Sequence, residues 1–235
     1  MKRFLTFMLA LNFVTACYCQ KNADVIKRGN AKADRQDYKG SISDYTSAIA
    51  IDPKDPLPYF NRANSKLSLH DYPGAMADFN KAIELNPMYL EAYFNRGVAR
   101  AEREDYAGAI ADYQKIVGIN PKDSMVYNNL GVAKAGMKDY RGAIAEFSKA
   151  IELRPKYADA YFGRASAKGN LEEYQGAIAD FSKAIALNPV YTDAWYFRGL
   201  SKIMAGEKDS GCLDLQKASQ LGHVDANEMI QTYCH

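Results

Sequence analysis

The chain has 235 residues, with 30 lysines and arginines against 28 aspartates and glutamates, a formal net charge of +2 and 48% hydrophobic residues. That length suits one or two domains, and a nearly balanced charge with no basic run longer than three residues leaves no electrostatic footprint for nucleic acid. No P-loop, nucleophile motif or metalloprotease motif is present, so neither catalytic residues nor a cofactor or metal is expected.

Residues 1–19 read as a targeting segment. Lys2 and Arg3 form a basic start, and Phe4 to Ala16 form an apolar run too short to span a bilayer as a helix but suited to a signal-peptide core. Two cleavage readings stay open. Val14-Thr15-Ala16-Cys17 resembles a bacterial lipobox, with Cys17 lipidated as the mature terminus. Alternatively a signal peptidase cuts after Cys19 and exposes Gln20, and a glutamine directly after the site resembles signal peptides of Bacteroidota. Both place the mature chain outside the cytoplasm, as an outer-membrane lipoprotein in the first case and periplasmic or secreted in the second. A membrane contact is expected only through that lipid.

Beyond residue 20 the sequence repeats. Pro53, Pro87, Pro121, Pro155 and Pro189 each follow the last by 34 residues. The same step relates Tyr59, Tyr93, Tyr127, Tyr161 and Trp195. It also relates Tyr38, Tyr72, Tyr106, Tyr140 and Tyr174, and Gly40, Gly74, Gly108, Gly142 and Gly176. A sustained period of this length signals an array of supersecondary units. Within 90–123, Tyr93, Gly97 and Arg100 share one helix face, and a second periodic run follows Asp105-Tyr106-Ala107-Gly108. Proline stops each pair, because it cannot continue a helix and disfavours helical geometry in the residue before it. The column Gly29, Ala63, Gly97, Gly131, Ala165, Gly199 predicts a close helix crossing against Ala75, Ala109, Ala143 and Ala177. The column Tyr45, Phe79, Tyr113, Phe147, Phe181 predicts the filling between helices. One such pair cannot bury its apolar face alone, so stacking supplies the core.

These columns closely resemble the tetratricopeptide repeat. The resemblance implies an all-α, right-handed solenoid of about six helix-turn-helix units: 22–55, 56–89, 90–123, 124–157, 158–191 and a degenerate 192–225. Degenerate ends suit terminal units. A capping helix is expected in 226–235, from Ala226 to Tyr233, with Gly222 ending the preceding helix and Asp225 capping the new one. The run Gly211-Cys212-Leu213-Asp214-Leu215 through Tyr233-Cys234 resembles the ending of secreted Bacteroidota proteins of this type.

Two charged columns recur: Arg28, Arg62, Arg96, Arg164 and Arg198 on first helices, and Asp44, Asp78, Asp112, Asp180 and Asp214 on second helices. The fourth unit has Leu130 and Glu146 instead. Antiparallel packing makes them ion pairs within a repeat; a ligand-binding arginine ladder is the alternative. If Cys17 and Cys19 leave with the targeting segment, Cys212 and Cys234 remain, and an oxidising compartment favours a disulfide between them. Zinc held by Cys212, His223, Cys234 and His235, or free thiols, are the other options. His70 reads as a solvated turn residue.

The resemblance also implies a concave groove, lined by first helices, that takes a peptide or protein segment. Two columns would face it: Phe60, Phe94, Asn128, Phe162 and Tyr196, and Asn61, Asn95 and Asn129 continuing to Gly163 and Phe197. The asparagines offer donors and acceptors to a backbone; Phe162, Tyr196 and Phe197 offer an apolar stretch. The competing reading packs the phenylalanines between repeats and leaves the asparagines in solvent. The expected function is a non-catalytic scaffold or adaptor. The alternatives are a lipid-anchored or self-associating envelope component and an accessory subunit of an envelope or secretion complex.

Overall fold

Three local signals build each helix pair. The first is a cap. The carboxylates of Asp37, Asp71, Asp105 and Asp139 accept the backbone N–H of Gly40, Gly74, Gly108 and Gly142 at 2.9–3.0 Å, filling an orphan donor of the second helix. A Cβ on any of these glycines would stand 2.0–2.2 Å from the cap carboxylate, so glycine and aspartate recur together. The second signal is one left-handed residue in the turn before the cap: Gln36, His70, Glu104, Lys138 and Glu172 at φ 60–62°, with Gly206 in the same column at φ 87°. His70 is therefore a strained turn residue. The third is the exit. Asp52, Asn86, Asn120, Arg154 and Asn188 follow the second helices at φ between −122° and −139°, the geometry that a following proline favours.

The structure, a computed structural model, describes residues 20–234, and among them regular structure is helical throughout. The targeting segment, with Cys17 and both cleavage sites, lies outside the described residues. The chain divides after Ala99 into two compact units. The first holds α1 (20–34), α2 (Tyr38–Ile51), α3 (Pro56–Ser68), α4 (Tyr72–Leu85) and most of α5 (Leu90–Glu102). The second holds α6 (Tyr106–Ile119), α7 (Ser124–Gly136), α8 (Tyr140–Leu153), α9 (Ala158–Asn170), α10 (Tyr174–Leu187), α11 (Thr192–Met204), α12 (Lys208–Gln220) and α13 (Ala226–Tyr233).

Within the second unit every helix packs on the next, and the first helices α7, α9 and α11 also touch their neighbours directly. The core is an aromatic seated among alanines, once per pair. In the first unit Phe79 lies among Ala63, Ala75, Ala82 and Ala92. In the second, Phe147 lies among Ala143, Ala150, Ala160 and Ala167, and Phe181 among Ala165, Ala177, Ala184 and Ala194. Tyr45, Phe79, Tyr113, Phe147 and Phe181 are at most 2% exposed. Burying such a ring stabilises by about 2 kcal/mol.

The small-residue column works differently from the expected helix crossing. A Cβ on Gly29 would meet the Tyr45 ring at 2.6 Å, and one on Gly131 the Phe147 ring at 2.8 Å. The glycines make room for the aromatic of the following helix rather than for its alanines. At Gly199 the neighbour is backbone, the carbonyl of Gly211 at 2.9 Å; there Leu215 replaces the aromatic.

The C-terminal end is closed in steps. After α12, Gly222 turns left-handed at φ 92°, while its N–H donates to Ser219 and that of His223 to Ala218, a Schellman motif. Asp225 precedes α13 without a side-chain cap bond, contrary to expectation; instead its N–H donates to His223 Nδ1 at 3.2 Å. A Cys212–Cys234 disulfide joins α12 to the end of α13 across a separation of 22 residues. With both cysteines in that bond, the zinc arrangement is gone.

Candidate binding groove

The charged columns resolve first, because they decide which groups are free for a ligand. Arg62, Arg164 and Arg198 grip Asp78, Asp180 and Asp214 bidentately, with every N–O distance 2.6–2.8 Å. Arg28 reaches Asp44 at 2.6 Å. The sequence reading missed a second cation. Lys32, Lys66, Lys168 and Lys202 approach the same acids at 2.7–2.8 Å, and Arg100 reaches Asp112 at 2.8 Å. That column also recurs at the 34-residue step, so the signal was in the sequence. In the fourth unit Leu130 removes the arginine and the longer Glu146 meets Lys134 at 2.5 Å. Hydrogen bonding to Arg28 is the largest cause holding the Asp44 carboxyl near 2, well below the usual aspartate value. The arginines also reach back one repeat: Arg62, Arg164 and Arg198 donate to Thr46, Ser148 and Ser182 at 3.0–3.1 Å. Arg96 Nη1 donates to Asn80 at 2.5 Å. These arginines serve the scaffold.

The asparagine column is also partly engaged. Asn61 donates to Asn30 at 3.1 Å and Asn95 to Asn64 at 2.9 Å, each bond tying one repeat to the one before. Asn129 is a hydrogen-bond partner of the Tyr113 hydroxyl, which burial pushes up to about 12. Of the aromatic column, Phe60 packs on Tyr89 with ring centroids 4.9 Å apart, and Phe94 is half-buried. Phe162 stacks on Tyr191 at 4.9 Å and meets Phe181 edge-on at 5.5 Å. Tyr196 is buried and stacks on His223 at 3.9 Å. Phe197 is 41% exposed and touches Phe162 and Tyr196. Several phenylalanines thus do pack between repeats, while Phe197 keeps an open face.

Two adjoining hollows lie along the first helices of the second unit, walled in part by α8 and α10. One, of about 290 Å³, is lined by Asn128, Val132, Phe147, Asp159, Phe162 and Tyr191 among others. The other, of about 360 Å³, lies between α9 and α11 and is lined by Phe181, Phe197, Leu200 and Met204 among others. They share Ser166 and Asn170. Their walls are mostly apolar with a few polar groups, the usual make-up of a recognition site. In the first, Asn128 is 8% exposed and its Oδ1 has no hydrogen-bond partner, unusual for a buried amide. Burial chiefly raises the Tyr191 phenol, with help from Asp159, which is also its hydrogen-bond partner. Among the described residues no cluster of three histidine, cysteine or acidic side chains could hold a metal. Among them, too, no helix is long and apolar enough to cross a membrane.

Comparison with known families follows the same periodicity. Models described as "Tetratricopeptide repeat" match residues 60–124 and 158–191, and one described as "TPR repeat" matches 29–70 and 136–172. The chain belongs to the tetratricopeptide repeat family. Solved structures similar to this tetratricopeptide chain include MamA from Desulfovibrio magneticus RS-1, at 20% identity and TM-score 0.69, covering 73% of this chain and 97% of that one. YrrB, described as a tetratricopeptide protein with an unusual peptide-binding site, matches at 23% identity and TM-score 0.66, covering 80% and 97%. A tetratricopeptide repeat protein from Parabacteroides merdae matches at 23% and 0.63, covering 91% and 84%. At these identities the likeness is one of fold. No curated protein matched the chain.

Proposed function

We propose that this tetratricopeptide protein is a non-catalytic scaffold that binds a protein or peptide segment along the hollows of its second unit, outside the cytoplasm. The carrying observation is the pair of adjoining hollows on α7, α9 and α11, with Phe197 open at their edge. Their common wall at Ser166 and Asn170 suits one extended segment that crosses both. The unusual peptide-binding site described for YrrB, a protein of similar fold, agrees with this reading. The Cys212–Cys234 bond supports the compartment, since disulfides persist where thiols are not kept reduced, and the targeting character of residues 1–19 points the same way.

The test is photo-crosslinking in intact cells, with a photoreactive amino acid at position 197 and, as control, at Leu213, which is 65% exposed on α12. The expected result is one adduct band specific to position 197 and recovered from the periplasmic or extracellular fraction. Identical adducts from both positions refute the groove reading, and recovery in the cytoplasm refutes the compartment.

A further inference from the structure

The two hollows differ in chemistry. The second is lined mainly by aromatic, aliphatic and methionine side chains with the neutral polar Ser166, Asn170 and Ser201, and carries no charge. The first carries one charged side chain, Asp159, and no cation. Asp159 is exposed and, among the described residues, in no ion pair; its hydrogen-bond partner is the Tyr191 hydroxyl. One repeat further along, the equivalent position is Asp193, another exposed acid, 3.7 Å from His223 Nε2. Asn128 lines the same hollow, and its Oδ1 is buried and unpaired. A half-turn of the amide presents either of its polar atoms to an occupant. The walls include Phe162 and Tyr191, partly exposed and stacked on each other, and aromatic faces attract cations. Thus a carboxylate, an amide acceptor and aromatic faces converge, and each favours a positively charged donor.

Resting on the peptide-groove reading above, we propose that the Asn128–Asp159 hollow is a pocket for an arginine side chain of the bound segment, with an apolar residue of that segment in the neighbouring Phe181–Met204 hollow. Arginine fits better than lysine for two reasons. Its planar guanidinium stacks on aromatic rings, and its diverging N–H groups can serve a carboxylate and an amide oxygen together. A lysine ammonium is a compact, strongly hydrated point charge and gains less from flat walls. The size of the hollow, about 290 Å³, lies at the small end of ligand sites and suits one long side chain. The neighbouring repeats act as an internal contrast: position 128 is phenylalanine at 60, 94 and 162, and position 159 is leucine, glutamate and methionine at 57, 91 and 125. The combination of buried amide and adjacent acid occurs at this one step of the array.

The experiment is selection of phage-displayed random nonamers on the full-length chain. The best binder is then synthesised with arginine, lysine or citrulline at the selected basic position and titrated by fluorescence polarisation against wild type, Asp159→Asn and Glu152→Gln. Glu152 lies on α8 and pairs with Lys149. The expected result is enrichment of an arginine beside an apolar residue. Affinity should fall about tenfold or more on citrulline substitution or with Asp159→Asn, and stay unchanged with Glu152→Gln. Peptides that bind Asp159→Asn and wild type equally, or that tolerate citrulline, overturn the arginine pocket and leave the groove standing. Failure to enrich any peptide overturns both.

Discussion

Removing the disulfide is the sharpest test of how the end of the array is held. Cys212 and Cys234 close a loop across 22 residues, and the chain-entropy estimate for that length is about 3 kcal/mol. The end has a modest core: Tyr196, Leu215, Ala218 and Ala226 are buried, with Trp195, Ile203, Met229 and Ile230 packed around them. The terminal helix α13 is only 8 residues long, too short to persist without tertiary support. Trp195 is the single tryptophan and lies in this cluster, so its fluorescence reports on the capped end. With urea slopes of about 1–3 kcal/mol per molar, the Cys212→Ala/Cys234→Ala variant should show a Trp195 transition lower by roughly 1–3 M urea than oxidised wild type. Far-ultraviolet dichroism, dominated by the other helices, should shift less, as local unfolding of a terminal unit requires. Dithiothreitol on wild type should reproduce the variant. A Trp195 midpoint that moves by less than about 0.3 M in both would refute the reasoning, because packing alone would then hold α13.

Three further outcomes follow from the same geometry. Gly131→Ala should lower the melting temperature by an amount equivalent to about 1–3 kcal/mol, since its Cβ meets the Phe147 ring at 2.8 Å; a rise, as helix propensity alone predicts, would exclude that clash. Asp180→Ala strands Arg164 and Lys168, each only 21% exposed at the side chain, and should cost about 3 kcal/mol in chemical denaturation; a loss below about 0.5 kcal/mol would mean that solvent replaces the carboxylate. Asp44 is held near 2 in the folded chain, chiefly by Arg28, against about 3.9 unfolded. Its stabilising contribution is therefore full above about pH 4 and is lost as pH falls towards 2; carboxyl NMR titration of Asp44 with a midpoint near 4 would contradict this.

The repeat unit was legible in the chain alone. Punctuation is local: Asp37-Tyr38-Lys39-Gly40 and its copies contain both the cap and the glycine that leaves it room, and each proline enforces the extended exit before it. Columns at a fixed step likewise exposed the aromatic filling and the Arg62–Asp78 type of pair, because a repeated contact leaves a repeated residue. The lysine column was equally periodic, yet its role needed the antiparallel packing that brings Lys66 and Arg62 onto one carboxylate.

The groove was legible only as a set of candidate positions. Packing settled which of them were already spent. Asn61 and Asn95 donate to the preceding repeat, Phe60 and Phe162 pack on tyrosines from the turns, and Tyr196 is covered by His223. It also brought in Asp159 and Tyr191, which no groove column contained, beside Asn128. The physical reason is range. Caps, turns and helix faces depend on residues within a few positions, whereas the free surface of a groove is what remains after contacts a full repeat away have been made, and a one-dimensional pattern does not record which donors those contacts consume.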